Sequence, residues 1–122
     1  MGVVMKSLLL GIAAVAVFAT AAHAVDIGGS YRVVGKNLDG SEYTGTAEIV
    51  VTTKNTCRIT WVTGGSTSEG ICMRNGIAFS AAYVLGKEIG LVIYEVNNNG
   101  SMDGIWTVAD TPGVGTESLI PR

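Results

Sequence analysis

The chain has 122 residues, 48% of them hydrophobic and 15% charged, with eight basic against ten acidic side chains for a formal net charge of −2. That balance supplies no basic patch to hold phosphates, which argues against nucleic acid as a partner. The length allows one domain.

The first segment, MGVVMKSLLLGIAAVAVFATAAHA, is expected to be a signal peptide spanning residues 1–24. Lys6 precedes an apolar run from Leu8 to Phe18, and Ala22-His23-Ala24 fits the small-x-small rule for cleavage. The run is short for a membrane span of about 20 residues. Position 25 is Val rather than Cys, so no lipid-anchored amino terminus is expected. Cleavage would leave residues 25–122 as a single domain, exported to the periplasm or beyond, with no membrane span and a formal charge of −3 once Lys6 is lost. It would also remove His23, the one histidine. Histidine-based acid–base chemistry, Ser-His or Cys-His nucleophiles and imidazole metal ligation are then excluded.

After Gly28-Gly29 the sequence turns to short runs rich in Val, Ile, Thr, Tyr and Trp, separated by Gly, Asn and Asp. The runs cover 31–36, 43–51, 57–63, 67–73, 77–84, 89–96, 102–108 and 115–120. Short strands at regular spacing predict an all-β fold. Each run meets the next through a short loop, so the expected architecture is an eight-stranded antiparallel up-and-down barrel, which leaves no exposed edges. A two-sheet sandwich is the alternative.

Turn residues set the expected register, because partners across an antiparallel ladder share a face. A two-residue turn at Asp39-Gly40 would set Tyr31 against Glu48. A three-residue loop with a bulge, with positive φ at Gly40, sets it against Ile49 instead. An odd loop near Lys54 sets Ile49 against Ile59. A Gly64-Gly65 turn sets Cys57 against Cys72 and Trp61 against Ser68. A turn at Asn75-Gly76 sets Cys72 against Phe79. An odd loop near Lys87 sets Tyr83 against Leu91, and a turn at Asn99-Gly100 sets Ile93 against Trp106 and Glu95 against Gly104. The last strand, with Glu117, is expected to close against the first. The predicted inner face is Tyr31, Val33, Ala47, Ile49, Val51, Cys57, Ile59, Trp61, Phe79, Ala81, Tyr83, Leu91, Ile93, Trp106 and Val108. The predicted outer face includes Val34, Val50, Val62, Val92, Tyr94 and Ile105.

The two cysteines are expected to form a structural disulfide, as paired cysteines in an oxidising compartment do. Fourteen residues between them do not fit a redox CxxC motif, and a metal site lacks further ligands. No metal or cofactor is expected. EVNNNGSMDG, residues 95–104, offers oxygens at Asn97, Asn99, Ser101 and Asp103, but it lacks the turn glycine and terminal glutamate of a calcium loop and reads as a hairpin. Its NGSMDG echoes DGSEYTG at 39–45 with the spacing off by one residue, too little to define a repeat.

Tyr31, Trp61, Phe79, Tyr83 and Trp106 form an inward aromatic set that either lines a ligand or fills the core, and filling is the favoured reading. Glu95 is expected inside, near a rim, without a second carboxylate for glycosidase-type pairing.

The runs GICMRNGIAFSAAYVLGKEIGLVIYEV, GIWTVA and GVGTESLIP resemble small exported proteins of Gram-negative bacteria, several of them labelled fibronectin-binding protein. The resemblance covers the mature chain with both cysteines and implies a secreted or periplasmic β protein. The architecture also resembles that of periplasmic lysozyme inhibitors, whose inhibitory loop signature this chain lacks. The expected function is a non-catalytic binding module for a protein or matrix partner. The alternatives are a carrier of a small apolar ligand in the barrel mouth and a periplasmic enzyme inhibitor, and an enzyme is not expected.

Overall fold

A computed structural model describes residues 25–122; the expected signal peptide lies outside the described residues. The strands are β1 (Gly29–Lys36), β2 (Glu42–Val51), β3 (Thr56–Thr63), β4 (Ser66–Asn75), β5 (Ala78–Leu85), β6 (Glu88–Val96), β7 (Met102–Val108) and β8 (Gly115–Pro121). Each pairs antiparallel with its sequence neighbours, and β8 pairs with β1 to close the barrel. The expected barrel is therefore observed, rather than the sandwich, and the strand limits fall within about two residues of the sequence reading.

Two registers match the sequence expectation. Ile49 faces Ile59, and the Gly64-Gly65 turn, with both glycines at positive φ, sets Cys57 against Cys72. The two cysteines are bridged with their Cα atoms 4.9 Å apart, a normal separation for a disulfide. Both are buried. A disulfide inside the barrel fits folding in an oxidising compartment.

Two further registers shift by two residues, which preserves the face. Tyr31 faces Ala47 rather than Ile49, because the first loop spans residues 37–41, although Gly40 does adopt positive φ. Cys72 faces Ala81 rather than Phe79, because the turn is Gly76-Ile77.

The two remaining registers each slip by one residue. Gly86-Lys87 is a two-residue turn, so Tyr83 faces Gly90, not Leu91. A one-residue slip inverts a strand. Val92, Tyr94 and Val96 therefore point inward, while Leu91, Ile93 and Glu95 lie exposed outside. The next loop, 97–101, is also one residue off the two-residue turn expected at Asn99-Gly100 and sets Val92 against Trp106. The two errors cancel, so Trp106 and Val108 face inward as expected. Val51, at the end of β2, is exposed.

The 95–104 segment is a hairpin. Asn97 N–H donates to the Ser101 carbonyl, and Asn99 Oδ1 accepts from the Ser101 N–H and hydroxyl. Asn37 to Ser41 repeats the same bonds, with Asp39 in place of Asn99. The first inward residue after the turn is Tyr43 in one case and Met102 in the other, which accounts for the one-residue offset in the echo. Among the described residues no His, Cys, Asp and Glu group could hold a metal ion.

One half of the barrel is solid. Val33, Ile49, Ile59, Phe79, Met102 and Leu119 are fully buried there. The end of this half carries the loops 52–55, 76–77 and 97–101. Ile27 packs into the core at this end, held by Tyr31, whose hydroxyl donates to the Ile27 carbonyl at 2.6 Å. Arg74 Nη1 donates to the Val25 carbonyl. The first residues after the expected cleavage site thus belong to the folded domain.

Closing a loop of this size with a disulfide is worth about 3 kcal/mol in the chain-entropy model. Replacing both cysteines with Ser is expected to lower the urea unfolding free energy by about that amount. A loss below about 1 kcal/mol would show that the bridge adds little to the barrel's own register.

Candidate functional site

The other half of the barrel is hollow. Its inward positions hold small residues: Gly35, Gly45, Ser68, Gly70, Gly90, Gly104 and Gly115. A cavity of about 580 Å³ occupies this half and opens between the loops 37–41, 64–65, 86–87 and 109–114. Its walls are Tyr43, Trp61, Tyr83 and Trp106, with Glu117 below them.

The glycines seat these rings. Gly35 faces Tyr43, Gly90 faces Tyr83, Gly104 faces Tyr94 and Gly115 faces Trp106 across their ladders. A Cβ at any of the four would collide with the ring of that partner. Each aromatic ring thus lies over a neighbouring strand rather than standing into the lumen, as in aromatic rescue of strand glycines. Tyr83 and Trp106 are further fixed to backbone, Tyr83 donating to Thr107 O at 3.0 Å and Trp106 Nε1 to Thr116 O at 3.3 Å.

Glu117 is the one charged residue buried among the described residues. Its Oε2 accepts from Trp61 Nε1 at 2.9 Å and from the Tyr94 hydroxyl; its Oε1 accepts from the Tyr43 hydroxyl at 2.8 Å. The donors come from β3, β6 and β2, so the carboxylate ties opposite walls of the barrel together. Burial pushes its carboxyl above the ordinary range, against the pull of the three donors. Burial and the Glu117 charge push all three neighbouring phenols, Tyr43, Tyr83 and Tyr94, up, Tyr83 to about 12. At neutral pH these hydroxyls stay protonated and able to donate.

The five aromatics singled out from sequence divide. Tyr31 and Phe79 are core; Trp61, Tyr83 and Trp106 line the cavity. Tyr43 and Tyr94 were missed, the first unassigned and the second placed outside. Glu95, expected inside, is on the outer face, and the inward acid is Glu117. Closure supplies the signal that finds it. Glu117 faces Gly35, which shares the inner face of β1 with Tyr31 and Val33.

No protein-family model matches the chain, and no curated protein matches it. Designed proteins are among the solved structures with the same fold. A redesigned β-barrel is 14% identical, with a TM-score of 0.68 over 79% of this chain and 91% of that one. Another, mFAP1, solved bound to DFHBI, is 16% identical, with a TM-score of 0.66 over 77% and 94%. A de novo fluorescence-activating β-barrel is 15% identical, with a TM-score of 0.63 over 78% and 93%. The likeness is one of fold: a closed small β-barrel.

The raised Glu117 pKa makes stability depend on pH. The folded state binds this proton more tightly than the unfolded chain. The contribution is therefore fully present below the ordinary glutamate pKa and is lost as pH rises through the raised folded value. Glu117→Gln has no such titration. The wild type is expected to gain urea stability relative to Glu117→Gln as pH falls from about 8 to about 4. A difference that stays constant over that interval would show that the folded carboxyl titrates like an unfolded one.

Proposed function

We propose that the protein is an exported, non-catalytic carrier that binds a small, largely apolar ligand in the mouth of its barrel. The observation that carries this reading is the half-filled interior. A chain that packs one half of its lumen with Ile, Leu, Met and Phe keeps a 580 Å³ cavity in the other half, lined by aromatic rings. Pockets of this size are the usual sites of small-molecule binding, and polar side chains such as Thr63, Ser66 and Ser68 join the aromatic rings in lining this one. A designed barrel of the same fold holds a small molecule, DFHBI. The amino-terminal segment, the disulfide and the resemblance to exported Gram-negative proteins support export. Protein purified from its native compartment is expected to carry extra mass in native mass spectrometry that is lost on denaturation, or else to bind Nile red one-to-one. A clean apo mass together with no Nile red binding would overturn the reading.

A second reading, recognition of a protein or matrix partner, has its own observation. Ile71 and Met73 on β4 and Leu91 and Ile93 on β6 flank the small residues Ser80 and Ala82 on β5. Together they form an exposed apolar groove of about 650 Å³ on the outer wall. Exposed apolar patches of this kind mark contact surfaces. Under this reading the mature protein captures fibronectin or an envelope component, and Leu91→Lys with Ile71→Lys abolishes the capture. Equal capture by both forms, or none by either, would reject it.

A further inference from the structure

The mouth cavity carries one sign of charge. Glu117 lies at its inner end, Asp39 and Glu88 also line it, and no lysine or arginine is among its lining residues. The Ser41 hydroxyl and N–H hold Asp39 below the usual carboxylate range, so it stays ionised. The rings form two edge-to-face pairs, Trp61 with Tyr83 at 5.4 Å between centroids and Tyr43 with Trp106 at 6.2 Å. Aromatic faces attract cations, most strongly those of Trp.

Glu117 is not saturated. Its Oε2 accepts two hydrogen bonds but its Oε1 accepts one, from Tyr43. A carboxylate has about four lone-pair sites, so acceptor capacity remains on Oε1. Neutral donors satisfy the carboxylate's geometry without cancelling its charge, and among the described residues no cationic side chain is paired with it.

Resting on the carrier reading, we propose that the ligand is an organic cation. It is a ring-bearing amine whose ammonium donates to Oε1 of Glu117 and whose apolar body lies between Trp61, Tyr83 and Trp106. An anion would meet carboxylates with no countercharge. A neutral apolar molecule would desolvate Glu117 further and drive it to take up a proton, a cost at neutral pH that an ammonium partner avoids. A bare metal ion would find one carboxylate where oxygen-liganded cations need several. A charge-assisted hydrogen bond in such a site favours the cation over its neutral counterpart by roughly 10- to 100-fold.

Phenethylamine, 2-phenylethanol and 3-phenylpropionate share a ring and differ in charge. They can be titrated into the oxidised mature protein at neutral pH. Both tryptophans of the chain line the cavity, so the two indole N–H signals in nitrogen-15 NMR report on it directly. The amine is expected to bind tightest by roughly that factor and the propionate weakest. Glu117→Gln is expected to bring the amine-to-alcohol ratio close to one. Glu88→Gln, with its side chain exposed at the rim, is expected to lower the ratio by a smaller step. If the alcohol or the propionate shifts the indole signals at concentrations equal to or below those of the amine, the cation assignment falls while the carrier reading stands. If none of the three shifts either signal up to about 10 mM, both fall.

Discussion

A carboxylate inside a small apolar barrel is the constraint around which the rest of this molecule is arranged. Removing an ionised group from water costs several kcal/mol unless donors replace the lost solvent. Glu117 obtains three, and each is the polar tip of an aromatic side chain: Tyr43, Trp61 and Tyr94. Supplying them fixes three rings at once. Trp61 and Tyr94 become part of the buried core, whereas Tyr43 stays at its edge and faces the cavity. The boundary between the solid and hollow halves of the barrel therefore lies at the level of Glu117. Removing the carboxylate would leave the buried Tyr94 hydroxyl without an acceptor, Trp61 Nε1 with only the Tyr94 hydroxyl at 3.3 Å and the Tyr43 hydroxyl with only the Thr116 carbonyl at 3.4 Å.

The hollow half follows from how volume is distributed along the strands. Eight strands enclose a lumen that side chains can fill. On the closed side the inward positions hold branched and sulfur-bearing residues. Toward the mouth they turn to glycine and serine. A glycine in a strand weakens it and packs nothing. Here the loss is offset because each of four glycines receives an aromatic ring from the neighbouring strand. The rings cover the backbone, keep water off the ladder and leave the axis of the barrel clear. An alanine at Gly90 or Gly115 would push Tyr83 or Trp106 toward the cavity that they now border.

Much of this was legible in the sequence, and the failures have local causes. Strand number, order and closure could be read because every strand is short and bounded by turn residues. The pairing of β3 with β4 could be read because Gly64-Gly65 and the two cysteines specify the same register independently. Registers resting on a single turn dipeptide slipped. Asn75-Gly76 and Asn99-Gly100 both carry the residues of a two-residue turn. The chain turns one residue later in the first case and spreads over five residues in the second. In the second case the side chains of Asn97, Asn99 and Ser101 satisfy one another and the backbone, so a longer loop competes with the short turn. Glu117 escaped notice because it was never assigned a face. The loop before it contains Pro112 and Gly113 and gives no register, so only its pairing with β1 places it.

The β6 strand shows why periodicity alone was insufficient. In EIGLVIYEV both alternating sets are apolar: Leu91 and Ile93 on one side, Val92, Tyr94 and Val96 on the other. Hydrophobic transfer does not choose strongly between them, since either orientation buries comparable aliphatic surface. What chooses is the complementarity of the interior. Tyr94 fits over Gly104, and its hydroxyl reaches Glu117. With Leu91 and Ile93 inside, Gly104 would go uncovered and Glu117 would be one donor short, at a cost that no aliphatic side chain repays. The orientation of an ambiguous strand is thus decided by a carboxylate two strands away in the barrel, and its second apolar face is left on the outer wall as a consequence.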